Sequence, residues 1–415
     1  MAININDGKW LSLSVTIILF VMGAFESKTL SILHRLLYTS WMLISLIGSI
    51  FAFFNTSDTL DKLQTIGVFS TTLMLNCVVS AILANRHKIK TIISSLQENA
   101  AGKTYIINRA ARLANKKLLF LAFFHGFASV FFFVPPSIYF MTKPLLKSYE
   151  TQEVIQFWFT CGTEERRGIR RSLCWNVETK RELMIKNMIT SSMAAIEEGG
   201  FFCGIVLYCV VMAEFYVHLD IFRAKIVALS QYSDQFSVDL YRHTRDQKWK
   251  RSVLSHHKLN IEKMLVKIVH YQQFLRCCIK EINSTFEGFT NIFFIASYGV
   301  SVVLIILVFF QTHNRILLFR HIPISAIMFV TIGMFCYFGQ LISDLNDILL
   351  YELSKIPWYQ QEIQFRKNYI LALNQNYLPL QTKFFNSRVI NLSFMLSVFR
   401  TLYSIINVLL LMIRK

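Results

Sequence analysis

LSFMLSVFRTLYSIINVLLLM, residues 392–412, forms an apolar run of helical length, and Arg400 is its one charged residue. A helix needs about 20 apolar residues to cross a hydrocarbon core of about 30 Å, so this run predicts a membrane-spanning helix. Six stretches upstream meet the same criterion. They run from Leu36 to Phe54, Thr65 to Leu83, Leu118 to Met141, Gly199 to His218, Thr290 to Phe310 and Pro323 to Leu341.

The composition agrees with seven crossings. Apolar residues make up 54% of the 415 residues, charged residues make up 16%, and the mean hydropathy is +0.43. A soluble domain of this composition would leave much apolar surface without a core. The predicted fold class is therefore an all-α polytopic membrane protein. The shorter run from Leu11 to Phe25 is interpreted as an interfacial or re-entrant helix, because no signal-peptide cleavage site follows it.

The distribution of basic residues predicts the orientation. The N-terminus and the even-numbered loops carry 28 Lys and Arg residues, against 14 in the odd-numbered loops and the C-terminus. Basic residues accumulate on the cytoplasmic side, so the N-terminus is expected inside and the C-terminus outside. This is the reverse of a G-protein-coupled receptor, whose Asp-Arg-Tyr and Asn-Pro-x-x-Tyr motifs are also missing from the expected positions.

Six regions follow from this topology. Between the fourth and fifth spans, apolar residues recur at helical spacing from Leu259 to Ile282, and the same spacing continues after the sixth span until Pro357 breaks it. These two stretches are predicted to pack together as a cytoplasmic platform, which could also serve as a subunit interface. The regions are an N-terminus (1–35), the first four spans (36–220) with an extracellular loop (142–198), a cytoplasmic linker (221–288), spans five and six (289–346), anchor helices (347–391) and the last span (392–415).

The net charge of +18 is explained by this topology and by attraction to anionic lipid headgroups. We therefore expect membrane lipids as partners and no nucleic acid. No catalytic, nucleotide-binding or metal-binding motif is recognisable, so an enzyme, a cofactor and a metal are not expected. Cys161 and Cys174 share the extracellular loop and are the candidate disulfide, although a solvated hairpin or helix with free thiols is equally consistent. The sequon at Asn55 lies in the first extracellular loop.

Polar residues inside membrane spans are functional candidates with a packing alternative. In the last span, Tyr403, Asn407 and Leu410 fall on one helical face, at spacings of four and three. An aromatic hydroxyl, an amide and a leucine suit a narrow aqueous path with a hydrophobic constriction, and a buried helix with two polar contacts would look similar. The other candidates are Asn76, His125, Glu214, Gln340 and Arg400.

About 80 residues at the C-terminus contain an ordered set of motifs. They are Phe335-Cys336-Tyr337-Phe338-Gly339, Trp358-Tyr359, Arg366-Lys367, Pro379-Leu380 and Tyr403-Ser404. This set resembles the C-terminal signature of insect odorant receptors, although Phe335 departs from the family's tyrosine and Leu402 stands where a small residue is common. The family's co-receptor has a Gln-Leu ending where this chain has Leu409-Leu410, so the chain resembles a tuning subunit.

The resemblance implies a ligand-gated cation channel in the plasma membrane of olfactory sensory neurons. Its subunits assemble as heterotetramers with the co-receptor through a cytoplasmic anchor, and the last helix of each subunit lines the pore. A gustatory receptor of the same fold is the alternative, whereas a transporter would need internal repeats or interrupted helices.

The resemblance also implies a pocket for a small volatile between the second, third, fourth and sixth helices. An aromatic, mostly apolar cavity with a few hydroxyl groups suits such a ligand, and ordinary helix packing is the alternative for each residue. The candidate pocket residues are Phe69, Thr72, Ser129, Phe132, Phe133, Phe201, Phe202, Ser325 and Phe329.

Overall fold

The structure, a computed structural model, is helical through almost all of the residues it describes. Those residues are 77–100, 203–233, 247–310, 315–385 and 387–413, with Leu36, Ser40, Leu43, Ile47, Ile50, Phe53, Phe54, Ile66 and Leu73. The helices are α1 (77–84), α2 (Arg86–Ala100), α3 (Cys203–Ser233), α4 (Gln247–Phe310), α5 (Arg315–Ser354), α6 (Ile363–Tyr377) and α7 (Leu392–Ile413). A 3-10 turn (Trp358–Gln360) precedes α6, and a hairpin of β1 (Lys383–Phe384) and β2 (Arg388–Val389) precedes α7.

Several of these helices fit a membrane. Within the described residues, Cys203–Ser233, Lys258–Val303 and Met328–Ser354 are long and apolar enough to cross one, and Leu392–Val408 is a shorter apolar stretch. The whole of α7 has 22 residues and is therefore about 33 Å long. Its bounds agree with the prediction from Leu392 to Met412. The predicted spans from Leu36 to Phe54 and from Thr65 to Leu83 are described only in part, and the span from Leu118 to Met141 lies outside the described residues.

Helix α4 is much longer than a membrane crossing. Its 64 residues make a helix of about 96 Å, roughly three times the thickness of a hydrocarbon core. The predicted amphipathic stretch is continuous with the apolar span that follows it, which confirms the expectation that one leads straight into the other. Ile261, Leu265 and Ile268 are buried, whereas Lys263 and Lys267 on the same stretch are exposed.

Helix α5 also extends beyond its apolar span and ends at Ser354, three residues before Pro357. Its extension buries Leu345, Leu349 and Leu353 against α4 and α6. We call the paired extensions (258–288 and 342–354) together with α6 the platform. The predicted packing of the two extensions is confirmed.

An aromatic cluster joins α3, α4 and α5. Tyr208 stacks on Phe335 with ring centroids 4.4 Å apart, and Phe335 stacks on Phe293 at 4.9 Å. Phe286 meets Tyr208 edge-on at 5.3 Å. Large aromatic side chains bury much apolar area each, so this cluster fixes how the three helices pack.

Close packing continues between α1 and α3. A Cβ at Gly204 would approach Cδ1 of Ile82 to 2.5 Å, so the Ile82 side chain would have to shift to admit a larger residue. Gly204 is thus explained by close packing of the two helices. A buried polar contact joins α3 to α4, where Nδ1 of His218 is hydrogen-bonded to the hydroxyl of Tyr271 at 2.6 Å.

Candidate functional site

Most of the predicted pocket lies outside the described residues. This applies to Phe69, Thr72, Ser129, Phe132, Phe133, Phe201 and Phe202. Ser325 and Phe329 lie one turn apart on α5, and only the backbone of Ser325 is described. The half-buried Phe329 is therefore the pocket candidate whose contacts are known.

Phe329 connects α5 to α7. Its ring centroid lies 5.4 Å from that of Phe399. One turn along, a Cβ at Gly333 would lie 3.7 Å from the sulfur of Met395. Residues with higher numbers on α5 therefore contact residues with lower numbers on α7, so the two helices run antiparallel. A displacement of α5 at the predicted pocket would act directly on α7.

Helix α7 is covered on one side only. Phe394 and Leu402 are buried, and the Phe394 ring meets Phe294 of α4 edge-on at 5.3 Å. Of the predicted pore residues, Tyr403 is 65% exposed and Asn407 is half-buried, while the side chain of Leu410 is outside the described set. Of the face predicted for the pore, Tyr403 thus lies on the open side of the helix.

Two amides fix the start of α7. The backbone N–H of Phe394 donates to Oδ1 of Asn391 at 2.9 Å, which is an N-cap. The N–H of Leu392 donates to Oε1 of Gln340 on α5 at 3.4 Å, and Nε2 of Gln340 donates to Asp344 at 2.6 Å. Gln340, a polar candidate in the sixth predicted span, therefore ties α5 to the first residue of α7.

Gly339 brings the same two elements into contact. A Cβ at this position would overlap the carbonyl oxygen of Ile390 and lie 2.9 Å from Oγ1 of Thr382. Only a residue without a side chain allows the backbone before α7 to pass this close to α5. Glycine at 339 is thus explained by packing, and the resemblance had marked it without giving this reason.

A series of polar side chains on α4 holds the second half of α6 and the chain between α6 and α7. Each one bonds to backbone about 100 residues further along, and we call this series the polar ladder. It fixes the connector that leads from the platform into α7. The bonds run from Gln272 Nε2 to Ala372 O (3.2 Å), from Arg276 to Leu378 O (2.8 Å), from Asn283 Nδ2 to Gln381 O (2.8 Å) and from Phe385 N to Asn291 Oδ1 (3.0 Å).

The last bond of the ladder holds a strained residue. Phe385 adopts φ 48°, a left-handed conformation that is costly for a bulky side chain. Its N–H bond to Asn291 contributes to keeping this conformation, and Phe384 beside it packs on Phe294 and Phe394 at 5.6 and 5.5 Å. The short hairpin is therefore clamped against both α4 and α7.

The platform contains a buried tyrosine. The hydroxyl of Tyr369 donates to the carbonyl of Leu353 at 2.8 Å, and its ring stacks between Trp358 and Phe365. Burial raises the pKa of Tyr369, so it remains a neutral hydrogen-bond donor at physiological pH. Lys258 of α4 forms an exposed ion pair with Glu362 at 2.8 Å, just before α6.

The comparisons with known proteins agree with this geometry. The sequence model described as 7tm Odorant receptor matches residues 56–403. The chain belongs to this odorant receptor family. The insect olfactory receptor OR5 from Machilis hrabei has a similar structure, with 15% sequence identity, coverage of 97% of each chain and a TM-score of 0.71.

The same receptor in complex with eugenol matches at 14% identity and a TM-score of 0.71, over 98% of this chain and 100% of that one. A search of curated protein sequences finds no match. The gustatory alternative gains no support from these comparisons.

Family membership confirms several predictions. The chain is a multi-pass membrane protein of helical fold, and odorant receptors are receptors and channels rather than enzymes. In the described part of this odorant receptor, no three His, Cys, Asp or Glu side chains come together as a metal site would require. Cys161 and Cys174 lie outside the described residues, so their disulfide stays a prediction.

Proposed function

We propose that this chain is the tuning subunit of an odorant-gated cation channel. It binds a small volatile in the predicted pocket among its membrane helices and opens a pore that it shares with a co-receptor. The complex is a heterotetramer in the plasma membrane of olfactory sensory neurons. Tyr403, Asn407 and Leu410 lie on the pore side of α7.

The contact between Phe329 and Phe399 carries this proposal. It places a residue of the predicted pocket against the helix with the open side, at 5.4 Å between ring centroids. A ligand that prefers one arrangement of α5 therefore also biases the position of α7. The channel opens by a population shift, to the extent that the ligand binds the open arrangement more tightly.

The chemistry of the bundle suits a volatile ligand. One of the similar structures is the Machilis hrabei receptor in complex with eugenol, a small volatile, which supports a ligand of this kind here. In this chain the cluster of Tyr208, Phe289, Phe293 and Phe335 supplies apolar, aromatic surroundings at the centre of the helices. A pocket next to such a cluster would favour ligands of low polarity.

Two uncovered surfaces support assembly with other subunits. On α6, Ile363, Ile370 and Tyr377 are exposed at spacings of seven residues, and Ile363 is 73% exposed. A seven-residue spacing keeps the three on one helical face. An apolar stripe on the platform and an open side on the last helix are surfaces expected of a subunit interface.

Whole-cell recording tests the proposal. Cells expressing this chain with an odorant co-receptor, this chain alone or the co-receptor alone are exposed to eugenol and to a panel of terpenoid and ester volatiles. We expect at least one volatile to evoke a cation current only in the first cells. Phe329→Ala should shift or abolish that response, whereas Thr91→Ala, at an exposed position of α2, should leave it unchanged.

Uptake of solute by this chain alone, without odorant or current, would contradict the channel proposal. A volatile-evoked current from this chain without any co-receptor would contradict the shared pore and favour a homomeric receptor.

A further inference from the structure

The open side of α7 carries a stripe of polar residues. Positions 393, 397, 400, 404, 407 and 411 are spaced alternately by four and three residues, so they fall within a sector of about 80° on an α-helix. The first four are exposed, Asn407 is half-buried, and Leu411 is 64% exposed. The stripe consists of the polar residues Ser393, Ser397, Arg400, Ser404 and Asn407 and ends at the apolar Leu411, and the exposed Leu396 and Val408 flank it at about 60° from its centre.

The opposite face of α7 is apolar and packs on α4 and α5. Phe394 and Leu402 are buried there, and Met395 and Val398 are half-buried against the same core. A helix in contact with lipid would show the reverse, with polar groups turned inward. The polar stripe therefore indicates that α7 faces either water or another subunit.

Arg400 distinguishes the stripe from an ordinary set of small residues. The hydroxyl of Ser397 donates to the carbonyl of Phe394 at 2.7 Å, so the hydroxyl group of a serine on this helix can donate its hydrogen bond to the backbone without water. A guanidinium group has five donors and a permanent charge, which no single backbone carbonyl satisfies. Within the described residues, Arg400 forms no ion pair.

The depth of Arg400 favours water along the stripe. It lies eight residues after Leu392, which is about 12 Å along the helix axis. Helical side chains lean toward the N-terminal turn, so Arg400 covers the surface near the exposed Ser397 and Leu396. Ser397 and Ser404 are its polar neighbours on the stripe, about one turn before it and one turn after it.

We propose that this stripe is the wetted wall of the ion pathway and that Arg400 places a fixed positive charge in it. The inference rests on the proposed channel function and refines it: Asn407 remains on the wall, whereas Tyr403 and Leu410 lie about 80–100° from its centre. A positive charge beside a narrow aqueous path repels cations.

Thiol chemistry measures the charge without an odorant. The complex with the co-receptor is placed in lipid nanodiscs. Ser404→Cys supplies the thiol to be modified, and Cys277→Ser removes an exposed native thiol that would react as well. Reaction rates are compared for a negatively and a positively charged methanethiosulfonate, each normalised to a free thiol in solution. Val398→Cys, on the packed face, serves as the matched control.

We expect both reagents to modify Ser404→Cys much faster than Val398→Cys, with a preference for the negative reagent. Position 404 lies one turn from position 400, at about 6 Å, so Arg400→Gln should lower that preference about threefold at physiological salt. Arg400→Lys, which keeps the charge, should retain it. Each variant is first checked for an unchanged elution profile.

An inert Ser404→Cys that reacts only with a lipid-soluble maleimide would overturn the inference, as would an unchanged reagent preference in Arg400→Gln. The proposed function fails separately: a wetted, charged stripe in a complex that carries no current would contradict the channel and leave the stripe standing. Odorant-evoked currents with an inert Ser404→Cys would place the pore elsewhere.

Discussion

Helices α3 and α7 are both apolar, yet they are covered in different ways. In the most apolar window of α3, 83% of the residues are buried, and even His218 is enclosed. In α7 the apolar side packs on α4 and α5 while Ser393, Arg400 and Ser404 stay exposed. Hydropathy identifies both as membrane helices, but their burial differs: α3 belongs to the core of the subunit, whereas α7 has an open side, which in our proposal other subunits and water complete.

The largest expected effect tests the core side of this comparison. Tyr208→Ala on α3 removes a ring that stacks on Phe335, and we expect a loss of about 3–5 kcal/mol in the free energy of unfolding. Tyr403→Ala on α7 removes a ring that is 65% exposed, so it should change stability by no more than about 0.5 kcal/mol. Apparent unfolding temperatures from fluorescence-detected size-exclusion chromatography measure the stability of both variants. An equal loss of stability in the two would contradict the conclusion that Tyr208 is buried in the core while Tyr403 is exposed.

A somewhat smaller effect tests the junction between α5 and α7. Gly339→Ala forces the backbone at Ile390 away from α5, and overpacking of this kind costs about 1–3 kcal/mol. Gly299→Ala is the matched control, because a Cβ there meets nothing within 4 Å. We expect low surface expression and a lowered unfolding temperature for the first variant alone. A Gly339→Ala protein as stable as the control would show that the close approach is not required.

The cap of α7 comes next. Asn391→Ala leaves the N–H of Phe394 without its side-chain acceptor and should cost about 1 kcal/mol, while Asn391→Ser retains most of the cap. The odorant concentration for half-maximal current is the sensitive measurement, since the cap orients the first turn of α7 beside Gln340. Identical dose–response curves for Asn391→Ala, Asn391→Ser and the parent chain would show that the cap does not affect gating.

The smallest expected effect has the opposite sign. Among the described residues, the buried hydroxyl of Tyr208 has no hydrogen-bond partner. Tyr208→Phe keeps the ring and removes that desolvated group, so it should be neutral or stabilise the protein by about 1 kcal/mol. A clear fall in unfolding temperature would reveal a partner for this hydroxyl, and a changed odorant preference without such a fall would place the hydroxyl at the ligand.

Sequence periodicity predicted the elements that one helix specifies by itself. The run that starts at Leu392 is a helix within one residue of the predicted end, and the stretch between Leu259 and Ile282 is helical with the expected buried face. Pro357 lies at the predicted break. Each of these depends on local apolar spacing or on a residue that cannot continue a helix.

The features that sequence reasoning missed depend on partners far along the chain. The polar ladder joins residues about 100 positions apart, and no pattern within α4 marks Asn283 or Asn291 as its members. The hairpin has two residues in each strand, which is too short for an alternation signal. The sequence also did not show which side of α7 is open, because periodicity defines the faces of a helix but does not show which of them packs against other helices. The position of Arg400 on the open side therefore required the structure.

Single-particle imaging of this chain with its co-receptor in lipid nanodiscs tests the central claim most directly. The account predicts a four-subunit assembly in which α7 is the helix nearest the central axis, with Ser397, Arg400 and Ser404 turned toward a water-filled path. An assembly with α7 at the lipid-facing periphery, or with the polar stripe buried in a dry contact between subunits, would contradict it.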